Sequence, residues 1–381
     1  MNLNIKIEKI DHWSTQFFQQ FVDVSDYFCA KSPNRTQYLT LSDLRQELLS
    51  PYFIKTGIRF RAIILRDDQG APLGQVIVYH KPHFKPERVL FGHINFIDSV
   101  DVFQAIEKEV QLYAEEKKAE HIRGPIQGHF FFSYRLKLGG GANFYGEPQH
   151  PLYYAKYLQS AGFEAIQTWE TSKIDVAKTR SNFSEIRRSG KKKSKVFKDL
   201  KIKYIFPWRW DQYLKYIHRL FLETYKEMDE FEPLDFDTFR SVYNNYQLLI
   251  NPFFSYLIFY KNEPVGFGVN FFDPLHVVQR YKGKKSPNII DQIILFLSLI
   301  FNRNRLLITY VGKLSKINGE DVRGIQSLVS KHLGFFIWLL RVKDVFVCFR
   351  SSNSPAHRSF NKNFESEVAS YGLLEKSVAT H

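Results

Sequence analysis

One short segment combines residue types that suit a bound dianion. Asp321–Gln326 reads Asp-Val-Arg-Gly-Ile-Gln and joins an apolar run, 306–314, to a stretch with Ile325, Leu328, Val329, Phe336 and Leu340 at helical spacing. A helix N-terminus offers unpaired amides and the positive end of a dipole, which suits a pyrophosphate. Gly324 lets the backbone approach phosphate oxygens with no Cβ in the way. Lys316 and Arg323 add positive charge, whereas Asp321 opposes a dianion and Gln326 adds bulk. Other chemistries find less support. The twelve histidines include no HExxH and no pair at i, i+4, and no GxSxG or Walker loop occurs. Two cysteines, Cys29 and Cys348, allow no disulfide framework and no Cys-rich zinc site. No metal is expected. Gly139-Gly140-Gly141 lacks the Lys-Ser/Thr of a phosphate loop and reads as a flexible connection between domains. Its neighbour, 129–134 (HFFFSY), reads as buried strand.

Charge points the same way. Lys and Arg exceed Asp and Glu by 14 across 381 residues, which suits nucleic acid, phosphate-bearing cofactors or an anionic membrane surface. The run Arg187–Lys201 holds eight bases and one acid in fifteen residues. It is read either as a solvated first helix or as a site for tRNA or another polyanion. The apolar fraction of 44% and charged fraction of 24% exclude disorder and collagen-like sequence, while 16% aromatics imply packing around rings. Residues 1–13 alternate in charge and do not form a signal peptide, and the apolar run 289–301 is too short to span a bilayer. That run reads as a buried or interfacial helix. The expected address is the cytoplasm, with no transmembrane segment.

These residues need a scaffold, and a weak internal repeat supplies it. A strand at 62–66, a polar turn and a second strand opened by Pro72-Leu73-Gly74 match a strand at 256–260, a turn and Pro264-Val265-Gly266. Both halves end alike: Ala155 stands eight residues before Phe163, and Ala356 eight before Phe364. A strand-like stretch of twelve residues follows each phenylalanine, 164–175 and 365–376. The hairpins are offset by 192 and the endings by 201, so one nine-residue insertion reconciles them. Between the landmarks lie a strand at 89–96 with an amphipathic helix at 102–120, and a strand at 306–314 with the helix after Gly324. Each half thus reads β-β-β-α-β-α-β, with a boundary near 176–184.

This order of elements resembles the GNAT superfamily of acyl-CoA-dependent N-acyltransferases in tandem. The superfamily's central strand, Gly-containing loop and pyrophosphate helix correspond to Asp321–Gln326. Its Asn-x-x-Ala-x-x-x-aromatic pattern corresponds to Asn353, Ala356 and Phe360, before Phe364. Leu158–Phe163 (LQSAGF) resembles a helix ending found in poorly characterised bacterial two-domain members of the group. The resemblance implies an α/β (α+β) fold of two tandem GNAT-like domains, each a mixed twisted sheet flanked by helices. It places a degenerate domain at 1–176, whose matching segment 97–101 has no glycine and two acids, and a CoA-binding domain at 177–381.

The implied activity is transfer of an acyl group from acyl-CoA to a small-molecule or peptide amine. Lys316, Gly319, Val322, Arg323, Gly324, Ile325 and Gln326 are the expected cofactor contacts. Many members place a proton-donating tyrosine where Phe360 stands, so Tyr310 becomes the candidate donor and Asn353 a positioning group; a core aromatic and a helix cap are their plainer readings. Tyr145 and Glu147, in the 135–150 loop, are expected to assist acceptor binding beside an interdomain cleft. Two alternatives stand. Residues 182–205 also resemble the entry to the second domain of Fem-type aminoacyltransferases, which use aminoacyl-tRNA. A catalytically silent binding module is the other, favoured by Asp321, Gln326 and Phe360.

Overall fold

The computed structural model describes residues 4–31, 39–141, 143–179, 199–280, 290, 293, 297, 304–314, 316–317, 320–321, 325–353 and 366–378. The polyanion run up to Lys198, Gly319, Val322–Gly324, Ala356, Phe360 and Phe364 lie outside them. The chain divides into two units. The first comprises 1–139, 146–168 and 370–381, and the second 140–145 and 169–369.

The first unit opens with strand β1 (Lys6–Ile10) and three helices, α1 (Thr15–Lys31), α2 (Leu41–Leu48) and α3 (Pro51–Thr56). Two of these starts are legible in the side chains. Thr40 and Asp43 close a reciprocal capping box on α2, and Ser50 caps α3 ahead of Pro51. Strands β2 (Arg59–Arg66), β3 (Pro72–His80) and β4 (Arg88–Phe96) form an antiparallel meander with β1. Helix α4 (Val100–Glu116) then buries Phe103, Ile106, Val110 and Tyr113 against the sheet. It ends four residues short of the expected Glu120, where Lys118 takes a positive φ and turns the chain into β5 (His121–Gly124). Strand β6 (Leu136–Gly140), helix α5 (Leu152–Ser160) and strand β7 (Glu164–Asp175) follow. The triple glycine therefore lies at the end of a strand rather than in a flexible loop, and Gly140 turns with a φ of 87°.

The second unit repeats the plan. It contains β8 (Leu200–Tyr204), α6 (Trp210–Tyr225), α7 (Phe236–Tyr243), β9 (Tyr256–Tyr260), β10 (Glu263–Phe272), α8 (Leu275–Arg280) and β11 (Arg305–Lys313). A two-stranded ribbon, β12 (Lys316–Ile317) and β13 (Glu320–Asp321), precedes α9 (Ile325–Leu339), β14 (Asp344–Ser351) and β15 (Glu367–Ser377). Among the described residues each unit has one parallel strand pair at the same place, β4 with β5 and β11 with β14.

The closing strands are exchanged. Residues 169–175 of β7, which continue the first half of the sequence, pair with β14 in the second unit. Residues 374–377 of β15, at the end of the second half, pair with β5 in the first. Side chains hold the exchange: Arg123 pairs with Glu375, and Lys376 reaches Glu107 at 2.5 Å. A single cut near residue 176 therefore does not separate the two units. Among the described residues no helix is long and apolar enough to cross a membrane.

Candidate active site

The second unit's central strand breaks its ladder in two ways. Against β10 it carries a bulge: Val269 pairs with Tyr310 and Asn270 with Ile308, which leaves Thr309 as the extra residue. The Thr309 hydroxyl donates back to the Val269 carbonyl at 2.7 Å and fixes the kink. Against β14 the parallel pairing covers only Arg305–Ile308 with Asp344–Val347. On its other edge β14 pairs with β7 from Asp344 to Ser351, and that ladder is irregular between Val347 and Arg350, where Phe349 takes a φ of 50° and its amide donates to Thr171 Oγ1 at 3.1 Å. Strands β11 and β14 thus form a V whose arms part beside the bulge. Bulges at such places re-aim side chains, and the side chain re-aimed here is Tyr310.

Tyr310 meets two tyrosines from α7 and the 3-10 turn after it. Its hydroxyl lies 3.0 Å from the Tyr246 hydroxyl, and its ring stands edge-on to Tyr243 and Tyr246, both at 5.6 Å. The Asp235 carboxylate caps α7 by accepting from the Thr238 amide, and Phe239 and Tyr243 form the helix's buried stripe. Burial raises the Tyr246 pKa; the bond to Tyr310 opposes that shift, and the nearby Tyr145 adds to it. The tyrosines border a small apolar crevice with Trp210, Phe221 and Phe267.

Tyr145 therefore shares a neighbour with Tyr310, as a site needs. Its amide donates to Asp273 Oδ1 at 3.0 Å, and Asp273 is paired with Arg305 at 3.1 Å. Arg305 also donates to the Asn143 carbonyl, while Phe144 packs on Phe346 and Phe349 at 5.9 and 5.6 Å. Segment 143–145 is thereby clamped beside the base of the V. Glu147 does something else. It is buried in the first unit and accepts from Lys137 at 2.9 Å, Gln149 at 2.8 Å and Tyr371 at 2.5 Å. Its three partners tie the incoming β15 strand in place.

The phosphate-loop residues are partly in view. Lys316 pairs with Asp321 across the β12–β13 ribbon, Ile325 opens α9 and is buried, and Gln326 follows in the first turn. Asn353 is exposed in the turn after β14. No group of His, Cys, Asp or Glu among the described residues could hold a metal.

The first unit has the same V, filled by its own chain. Strand β4 bulges at His93–Ile94 against β3, and its parallel pairing with β5 stops at Leu90 and Arg123. The chain after Gly124 then folds back: the Ile126 amide donates to the Phe91 carbonyl at 2.7 Å. A Cβ on Gly92 would stand 2.6 Å from the Ile126 carbonyl oxygen, so only glycine allows this approach. Of the aromatic stretch 129–134 only His129, Phe130 and Phe131 are buried, and in turns rather than strand, with the Phe131 amide donating to His129 Nδ1 at 3.1 Å.

Beneath this plug lies a polar cluster that the sequence reading missed. Glu47 on α2 is buried, accepts from the Tyr79 hydroxyl at 2.6 Å and meets His93 Nε2 at 2.9 Å. Burial, then the Glu47 charge, push the Tyr79 pKa well up. The available signal was an acid on the apolar Leu44–Leu48 stripe of a capped helix.

No family model and no curated protein matches the sequence. Solved structures do. A tandem GNAT protein from the clavulanic acid biosynthesis pathway, solved without AcCoA, aligns over 99% of this chain and 100% of its own, with a TM-score of 0.53 and 9% identity. A GCN5-related N-acetyltransferase from Sphaerobacter thermophilus aligns over 98% and 96%, with a TM-score of 0.48 and 10% identity. A conserved protein of unknown function from Enterococcus faecalis, described as a probable N-acyltransferase, aligns over 98% and 73%, at 0.48 and 10%. At these identities the likeness carries the fold alone, and the first of the three carries it. The chain has the tandem GNAT fold.

Proposed function

We propose that the chain transfers an acyl group from acyl-CoA to an amine, with the donor held by the second unit. The observation that supports this most is the end of the β11–β14 pairing at Ile308 and Val347, beside a bulge that aims Tyr310 into a tyrosine cluster. Acyl-CoA fits the residues around it. A pantetheine arm can lie where β11 and β14 part, and α9, whose sequence carries no acid, follows the glycine loop that would take the pyrophosphate. Lys316, Gly319 and Val322–Gln326 are the residues assigned to hold it in this reading.

The chemistry then needs little machinery. A backbone amide of β11 past the bulge polarises the thioester carbonyl. The acceptor amine attacks as the free base, so the N–C bond forms and the carbonyl electrons move to oxygen. As the C–S bond breaks, the leaving thiolate takes a proton from the Tyr310–Tyr246 hydroxyl pair. The proton shed by the new amide nitrogen restores the pair. Tyr145 stands on the acceptor side, and Asn353 positions the donor. The first unit, its V plugged, binds no donor.

Calorimetric titration with CoA and acyl-CoA tests the reading. Binding that is weakened by Arg323→Glu supports it, and no binding at millimolar ligand removes it. Salt-sensitive binding of tRNA, abolished by neutralising Lys191–Lys193, would instead favour a Fem-like aminoacyltransferase.

A further inference from the structure

The second unit exposes large apolar side chains where a soluble surface ordinarily shows polar ones. On α9, Phe335 is 52% exposed, Trp338 65% and Leu339 49%. Their spacing of three and four places them on one face, and Lys331 stands one turn before Phe335 on that face. Rings extend the patch beyond the helix. Phe335 contacts both Trp338 and Phe336, Phe336 contacts Phe253, and Phe253 is itself 46% exposed. The charge beside it is mainly basic: α9 carries no acid, Lys331 is exposed, Arg341 and Lys343, just past its end, are exposed too, and the adjacent Asp344 is only half-buried.

A second copy of the chain is a poor fit for this face. Stable interfaces engage roughly 20 residues a side, many more than the few large side chains shown here. A water–lipid boundary is a better fit. Tryptophan and phenylalanine settle at the headgroup level, and Lys and Arg beside them attract anionic lipids. Ile290, Ile293 and Leu297, at i, i+3 and i+7, show the same habit, each at least 45% exposed.

We propose that the Phe335–Trp338–Leu339 face of α9 docks the protein on an anionic lipid bilayer. Insertion of the apolar side chains supplies the apolar part of the affinity, and Lys331, Arg341 and Lys343 supply selectivity for negative headgroups. This surface is independent of the acyl-transfer reading and is tested without turnover.

The experiment is flotation of the full chain with vesicles of phosphatidylglycerol and phosphatidylcholine in equal parts, and with phosphatidylcholine alone. Binding is expected to the anionic vesicles and to disappear at about 1 M salt. Neutralising Lys331 and Arg341 lowers the partition coefficient about fivefold for each charge. Phe335→Ala with Trp338→Ala lowers it about tenfold or more. Should that double variant lose its circular dichroism spectrum, the milder Trp338→Phe decides: brominated lipid quenches wild-type fluorescence, and the variant lacks the Trp338 share of that quenching. Three outcomes overturn the proposal. The protein fails to float with anionic vesicles; flotation depends on Lys191–Lys193 but not on Phe335 and Trp338; or sedimentation shows self-association that the α9 substitutions abolish.

Discussion

The two units build the same V and use it differently. In the first, β4 and β5 part after Leu90 and Arg123, and the chain that leaves β5 turns back to fill the gap. In the second, β11 and β14 part after Ile308 and Val347, and the chain that leaves β11 goes on to the β12–β13 ribbon and α9. The bulge at His93 delivers an imidazole to a buried carboxylate, Glu47, whereas the bulge at Thr309 delivers a phenol to a tyrosine pair beside a small apolar crevice. The lesson concerns what a broken ladder costs. Parted strands leave polar backbone that must find partners, and the partners are the chain itself, water or a ligand. Where the chain supplies them, as with the Ile126 amide on the Phe91 carbonyl, the site becomes structure.

The largest effect that would break this contrast is on turnover. Replacing Tyr310 and Tyr246 together by phenylalanine is expected to lower kcat about a thousandfold, with KM for the donor little changed. Steady-state kinetics that show an unchanged kcat would remove the tyrosine pair from the chemistry. The matching change in the first unit, Glu47→Ala, should leave turnover intact and cost about 3 kcal/mol of stability. It strands the Tyr79 hydroxyl and the His93 ring in a buried place. Urea unfolding followed by circular dichroism measures that loss, and a loss of activity without a loss of stability would mean that the plugged V still works as a site.

Smaller effects sharpen the comparison. Arg323→Glu is expected to weaken CoA about tenfold by calorimetry, and an unchanged affinity would remove Arg323 from the donor site. The smallest expectation concerns pH. Burial raises the Tyr246 pKa, so its neutral, proton-donating form persists to higher pH than in a free tyrosine. The kcat profile should therefore climb as the acceptor amine deprotonates and show no descending limb below about pH 10. A fall near neutrality would point to a different acid.

Much of the scaffold was written in local patterns. The hairpins at 59–80 and 256–272, and the twelve-residue strand 164–175, follow from apolar alternation and turn residues, which act within a few residues. The order of those elements was enough to indicate the tandem fold. Tyr310 could be singled out because it lies on the central strand next to the loop. Its partner Tyr246 could not, because the two are 64 residues apart and meet only through packing of α7 on the sheet.

The same limit explains what the repeat concealed. Local sequence determined that 164–175 and 367–377 would be strands, but a strand's own residues do not say whose edge it completes. That choice fell to Arg123 with Glu375 and to Phe349 with Thr171, contacts spanning 252 and 178 residues. Plug and pocket were decided in the same way. Sequence alone indicated two similar α/β halves in tandem and a basic chain. Tertiary structure decided which V the chain fills, because backbone groups exposed by a splayed ladder are satisfied by whatever the fold brings near, and nearness in space is not recorded by nearness in sequence.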